Sequence, residues 1–262
     1  MGQNSSLSIR VILKARTMRS LVFGGSAGVG RALCRALAAR GHDLTIISRN
    51  AADLEAESSY CHLLNGGDVD WLAIDATDPR SLRSALTTYL ADTAHLFENL
   101  FFPIGGAMRN DCIDSAGEVS VQTMHTNLTS VMVAIGSLLP HMATEGCRNI
   151  VGFGSIAAVR GRRSNVAYSA AKRGLESYFE SLRHMAAAKG ISTQFYRLGY
   201  VETQQSFGKN LLLPAMPPST VAQHVLNNLG RNVGVRSLPR FWAGVTPIVK
   251  HSPWWLYRRL NF

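Results

Sequence analysis

The stretch Gly24-Gly25-Ser26-Ala27-Gly28-Val29-Gly30 constrains this chain more than any other, because of what flanks it. Ser20-Leu21-Val22-Phe23 reads as a short apolar strand. Residues 31–40 then repeat apolar side chains at Ala32, Leu33, Ala36 and Leu37, the spacing of a helix face. A glycine-rich turn between a first strand and a helix predicts a doubly wound α/β fold. In that setting Gly24 permits the tight turn, Gly28 lets the backbone approach a phosphate, and Gly30 lets the helix pack closely on the sheet. The helix N-terminus favours the anion. Further apolar strands are predicted at residues 44–48, 71–74, 100–102, 149–154 and 191–197, separated by helical stretches. That alternation predicts a mostly parallel central sheet with helices on both faces.

The second informative stretch is Tyr168-Ser169-Ala170-Ala171-Lys172. On a helix, the four-residue offset puts the phenol and the ammonium on one face, about one turn apart. A cation beside a phenol favours its ionised form and lowers its pKa toward working pH, as a general acid or base requires. Ser155 leaves the C-terminal end of a predicted strand, where open α/β sheets place their ligands. Asn127 falls inside a helix predicted over 119–142, where its side chain is intrinsically mediocre for helix stability and so needs another reason to be there.

In this order and spacing, these residues resemble the short-chain dehydrogenase/reductase family. The resemblance runs over residues 19–203 and rests on the glycine turn, Asp75, Asn127, Ser155, Tyr168, Lys172 and Leu198-Gly199-Tyr200-Val201-Glu202-Thr203. It implies a Rossmann-type oxidoreductase that moves hydride between NADP(H) and a carbonyl or secondary alcohol. In that scheme Ser155 polarises the carbonyl and Tyr168 protonates its oxygen. Lys172 binds the nicotinamide ribose and depresses the phenol's pKa, while Asn127 holds a water of the proton relay. Gly24, Ser26, Gly28, Val29, Gly30, Tyr168 and Lys172 would contact the cofactor, with Asp75 bordering the adenine and Thr203 the nicotinamide carboxamide. No metal is required. The resemblance also implies a homodimer or homotetramer through the fifth and sixth helices. An alternative on the same fold is a catalytically silent NADP-binding sensor, which has no physical need for Asn127, Ser155, Tyr168 and Lys172 together.

The chain departs from the family pattern in two neighbouring places. Phe23 replaces the usual Thr before the glycine turn, and Pro103-Ile104-Gly105-Gly106 replaces Asn-Asn-Ala-Gly. Both changes put apolar for polar, and Phe23 and Ile104 are expected to pack where a polar contact usually sits. Arg49, at the end of the second predicted strand, stands where an acid would hydrogen-bond the ribose of NAD. It offers a donor fork to a 2′-phosphate, which favours NADP over NAD; the plain alternative is an arginine that snorkels at a strand end.

The 262 residues, 46% of them hydrophobic, suffice for one sizeable core. One domain is expected over 19–262, after an N-terminal extension at 1–18, with 204–262 as substrate lid and C-terminal segment. The four cysteines lie far apart with no C-x-x-C pair, which suggests neither a disulfide framework nor a zinc site and fits a reducing cytoplasm. The net charge of +10 resides entirely in residues 1–20 and 231–262, which hold ten basic side chains and no acid. Between them charges balance, so the fold itself is no nucleic-acid platform.

The basic C-terminal segment carries three of the four tryptophans, broken by Pro247 and Pro253 into pieces too short to span a bilayer. Two readings stand. Its aromatics pack on the substrate pocket or a neighbouring subunit, or Trp254, Trp255 and Tyr257 sit at a membrane interface with Arg258 and Arg259 against anionic headgroups. The arginines 160, 162 and 163, between Ser155 and Tyr168, are expected to be solvated loop residues, and the apolar residues 211–214 and 216–218 suggest a lid over an apolar substrate.

Overall fold

The computed structural model describes residues 17–108, 110–113, 117–204, 206, 208 and 213–259. The expected extension at 1–18 therefore lies outside the described residues except for its last two, as do Leu211 and Leu212 of the expected lid. Seven strands are described: β1 (Arg19–Phe23), β2 (Asp43–Ser48), β3 (Val69–Ala73), β4 (Asn99–Phe102), β5 (Asn149–Ser155), β6 (Ser192–Leu198) and β7 (Gly234–Leu238). They form one parallel sheet in the order β3-β2-β1-β4-β5-β6-β7. The winding reverses between β1 and β4, the place where a crevice opens at the carboxyl ends of such a sheet. The seventh strand was not anticipated from the sequence, since Gly234-Val235-Arg236-Ser237-Leu238 has neither a long apolar run nor clean alternation.

Alternation along the strands divides the core into two layers. Leu21, Phe23, Leu100, Phe102, Ile150 and Phe195 point to one face. They meet α3 (Pro79–Asp92), α5 (Ser130–Leu138) and α6 (Val166–Ala188). Val22, Phe101, Val151, Phe153 and Tyr196 point to the other, against α1 (Gly28–Ala38), α2 (Ala51–Asn65) and α7 (Pro218–Leu226). Phe23 is buried edge-on to Phe102, and Ile104 packs against the same cluster, so the two departures from the family pattern do feed one apolar contact region. Asp78 starts α3 by accepting from the Arg80 N–H and the Ser81 hydroxyl, with Pro79 in the first turn, as its sequence predicts. α7 begins at Pro218 with no side-chain cap, although Ser219 and Thr220 stand in its first turn.

The single long helix expected over 119–142 is interrupted. α4 (Gly117–Met124) runs into a π-turn at His125–Thr129 before α5 begins, and a 3-10 turn at Leu139–His141 ends the unit. Asn127 sits in the π-turn. Such widened turns recur where a helix must re-aim a side chain.

Candidate active site

A cleft of roughly 1830 Å³ opens at the carboxyl ends of the strands. Gly24, Ser26, Gly28, Val29, Arg49, Asp75, Ser155, Tyr168, Lys172 and Thr203 line it. Gly30 and Asn127 do not, and each acts from behind the wall. A Cβ on Gly30 would lie 1.9 Å from the Gly24 carbonyl oxygen, so only glycine lets α1 start this close to its own turn. Gly24 has φ +101°, and a Cβ there would meet the Ile104 backbone at 2.9 Å. The first turn of α1 has no side-chain cap, which leaves its N–H groups facing the cleft mouth. Ser26 and Ser48 hydroxyls share a 2.8 Å hydrogen bond that ties the turn to the end of β2.

Arg49 is exposed at the cleft rim. Two further arginines, which the sequence reading passed over, line the same end. Arg35 makes a bidentate pair with the buried Glu57 (2.9 and 2.8 Å), and its guanidinium lies 4.2 Å over the Tyr60 ring. Arg31 reaches Glu57 at 3.5 Å and donates to the Ser26 carbonyl. They escaped notice because both lie on a helix whose periodicity was already accounted for by core packing, and Glu57 comes from a different helix.

At the other end, β5 delivers Ser155 and α6 delivers Tyr168 and Lys172. A Cβ on Gly152 would strike the Phe179 ring at 2.4 Å, so the bare glycine lets α6 settle close to β5. The Ser155 hydroxyl accepts from the Ala157 N–H (3.1 Å) and lines the cleft together with the Tyr168 phenol, whose pKa it lowers. The Lys172 ammonium lies 6.0 Å from the centroid of the Tyr168 ring and donates to the carbonyls of Ile104 (3.2 Å) and Phe153 (3.1 Å). Burial pushes its pKa down to about 8, because no carboxylate among the described residues offsets the lost solvation.

The phenol behaves differently from the expectation. Burial raises the Tyr168 pKa, and the Ser155 hydroxyl and the positive charge of Arg162 only partly counter it. Lys172 is not among the groups that lower it; at that distance its main interactions are with carbonyl oxygens. The solvated-loop reading of the arginines also fails for two of three. Arg162 lines the cleft, and Arg160 is turned inward to the C-terminal segment.

Asn127 holds the altered fourth-strand loop. Its Oδ1 accepts from the Gly106 N–H (2.9 Å), and its Nδ2 donates to the carbonyls of Gly106 and Thr123 (3.0 Å each). A Gly105 Cβ would lie 2.3 Å from Asn127 Oδ1 and 2.8 Å from Lys172 Nζ, so Gly105 fits between the two polar groups with no space to spare. The loop thus keeps its place by side-chain bonding although its sequence has lost the usual polar residues.

Asp111 completes the arrangement and was missed. Its buried carboxylate accepts from the Ala167 and Tyr168 N–H groups (2.8 Å each), and its carbonyl accepts from Asn165 (2.7 Å). It therefore caps α6 from 56 residues away and fixes the backbone that carries the phenol. No local signal could have found it, since Asn165 occupies the capping position in the sequence but adopts φ +62° and makes no side-chain cap.

Residues 19–210 match the family model for short chain dehydrogenase. The chain belongs to the short-chain dehydrogenase/reductase family. Carbonyl reductase family member 4 of Danio rerio is 31% identical over 72% of this dehydrogenase/reductase chain and 78% of its own length. The 3-oxoacyl-(acyl-carrier-protein) reductase FabG of Escherichia coli is 30% identical over 71% and 75%. Among solved structures, a short-chain dehydrogenase from Sphingobium yanoikuyae in complex with NADPH superimposes with a TM-score of 0.76 at 21% identity, covering 93% of this chain and 96% of the other, a likeness of fold. As in the family as a whole, the sheet and its helices are those of a Rossmann-type oxidoreductase.

Proposed function

We propose that this short-chain dehydrogenase/reductase reduces a carbonyl compound at the expense of NADPH. The observation that carries the reading is the convergence of Ser155, Tyr168 and the buried Lys172 ammonium, 6.0 Å from the Tyr168 ring centroid, on the cleft that the glycine turn also lines. NADPH, when bound, would supply the hydride. The chain fits such a group: the crowded backbone at Gly24 and Gly30 and the uncapped start of α1 form a cradle for a diphosphate, and Thr203 closes across it, with its methyl 3.1 Å from where a Gly28 Cβ would sit. Ser26, Val29 and Asp75 line that cradle. Arg49, with Arg31 and Arg35 behind it, makes the adenosine end basic, which favours a 2′-phosphate.

In the reductive direction Ser155 would hold the substrate oxygen by donating its hydroxyl proton, while the Ala157 N–H orients the hydroxyl by occupying one of its two acceptor sites. Tyr168 keeps its proton at neutral pH because burial raises its pKa, and is therefore ready as the acid that protonates that oxygen. Lys172 holds a cation near the developing charge and would bind the nicotinamide ribose. Asn127 fixes the 103–106 loop, whose Ile104 carbonyl accepts from Lys172, and would hold the water that resupplies the proton. The relatives named above as a carbonyl reductase and a 3-oxoacyl reductase support the reductive direction and a carbonyl substrate.

The test is NADPH and NADH oxidation against ketones, sugars and 3-oxoacyl thioesters, with Arg49→Ala alongside. NADPH is expected to be oxidised with at least one carbonyl class, and Arg49→Ala to raise KM for NADPH about tenfold more than KM for NADH. Tight NADPH binding with no oxidation by any carbonyl would favour the silent sensor instead, a reading that leaves Ser155, Tyr168 and Lys172 without a purpose.

A further inference from the structure

The aromatics of the described C-terminal segment, which ends at Arg259, divide into two sets. After β7 it forms α8 (Trp242–His251) and α9 (Trp254–Tyr257). Trp242 is buried, with its ring 6.0 Å from that of Tyr200 in an edge contact. Tyr257 is buried as well; its hydroxyl donates to the Gly161 carbonyl at 2.7 Å, and the Arg160 guanidinium lies 4.0 Å over its ring. Arg160 also donates to the carbonyls of Val249 and Ser252, so the turn between α8 and α9 is fastened to the loop that joins Ser155 to Tyr168. Within the chain Trp242 and Tyr257 are thus packed inward, whereas Trp254 and Trp255 are exposed.

What this fastening presents outward is Trp254, 66% exposed, Trp255, 59% exposed, and Leu256, 42% exposed, three consecutive residues, with Ile248 at 71% on the preceding helix. Single exposed apolar residues need no explanation, but a run of indoles held out by a pinned element does. Lys250, Arg258 and Arg259 flank the run and are all exposed. Residues 231–262 contain six Lys and Arg side chains and no acid.

We infer that this surface docks on an anionic lipid bilayer. A second copy of the chain applied to the same patch about a two-fold axis would bring these cations against their own images. A bilayer of anionic lipid satisfies both halves of the patch at once. Indole rings settle at the boundary between headgroup and acyl chain, and Arg and Lys meet the negative surface. Because the indoles are already held in place by Tyr257 and Arg160, docking spends little on ordering them. No helix among the described residues is long and apolar enough to cross a membrane, so the contact is peripheral.

The experiment is sedimentation of the full chain with vesicles of phosphatidylcholine alone and of phosphatidylcholine with phosphatidylserine, at low and high salt. It is repeated with Trp254→Ser/Trp255→Ser and with Arg258→Glu/Arg259→Glu. Point variants are used because deleting the segment would take Trp242 and Tyr257 out of the core. The wild-type chain is expected to sediment with the anionic vesicles at low salt, to lose about tenfold or more of its affinity at high salt, and to blue-shift its indole fluorescence on binding. Each double variant should lose about tenfold in affinity while keeping its soluble turnover. Three results overturn the inference: a wild-type chain left in the supernatant with anionic vesicles at low salt, vesicle binding untouched by both double variants, or a change of oligomeric mass in Trp254→Ser/Trp255→Ser, which would make the patch a contact between copies.

Discussion

The two ends of the sheet each bury a cation, and they treat it in opposite ways. At the amino end Arg19 is surrounded by carboxylates, with Asp68 at 2.6 Å, Asp70 at 3.2 Å and Asp43 at 3.8 Å, and its own N–H donates to Glu98 at 2.7 Å. His95 also bonds Asp70, at 2.8 Å. Asp68, Asp70 and His95 are also the one grouping among the described residues with the spacing for a metal ion, but Arg19 already bonds both carboxylates. At the carboxyl end Lys172 is buried as deeply, and among the described residues its hydrogen bonds go to the carbonyls of Ile104 and Phe153, not to an acid. A cation matched by acids cements a fold; a buried cation left without one holds charge in readiness for something the chain does not itself contain. The difference separates scaffold from site without reference to any motif.

Replacing each cation by methionine should therefore act with opposite emphasis. Arg19→Met strands carboxylates around an emptied position and is expected to cost about 3 kcal/mol, with turnover per folded molecule unchanged. Lys172→Met removes a desolvated charge along with two hydrogen bonds and is expected to stay within about 1 kcal/mol of wild type while abolishing turnover. Paired urea denaturation and steady-state kinetics on the two variants decide this, and a large loss of stability in Lys172→Met would erase the distinction.

The same contrast has a pH signature. The folded chain holds the Lys172 pKa near 8 against 10.5 for a free lysine. The unfolded chain therefore binds more protons between those values, and stability should rise with pH across that window. Tyr168 opposes this only above about pH 10, where the unfolded phenol loses its proton while the folded one, with its raised pKa, keeps it. The buried thiols of Cys34 and Cys61 also titrate in the alkaline range. The quantity to measure is accordingly the difference between wild type and Lys172→Met. It should change by about 2 kcal/mol in favour of wild type from pH 8 to 10, and a flat difference would mean that the amine is better solvated than its surroundings suggest.

A smaller effect sharpens the site end of the comparison. Asp111→Ala removes the acceptors of the Ala167 and Tyr168 N–H groups and is expected to cost about 1–2 kcal/mol, with Asp111→Asn in between. Turnover should fall in the same order, because the cap positions the phenol's backbone. Stability loss with kcat unchanged would reduce Asp111 to an ordinary helix cap.

These sites differ in how far the sequence foretold them. The glycine turn, the first six strands, and Ser155, Tyr168 and Lys172 were legible because each depends on local spacing: strand to turn to helix, or four residues along one helix. Asp111 and the Arg31–Arg35–Glu57 group were not, since each joins residues far apart in the chain whose local patterns look complete without them. β7 was hidden because it is a short edge strand with Arg236 and Ser237 inside it. The direction of the Tyr168 pKa was misjudged for a related reason. Spacing along a helix gives the neighbour but not the depth of burial, and here burial outweighs the neighbour.

The central claim, that Tyr168 gives the proton in NADPH-dependent carbonyl reduction, is tested most directly by Tyr168→Phe, which removes the donor and almost no volume. Turnover with the best carbonyl substrate and the Kd for NADPH by fluorescence titration are measured on the same preparation. The expected result is a kcat lower by about 10²–10⁴ with Kd nearly unchanged; a kcat that survives the substitution would contradict the account.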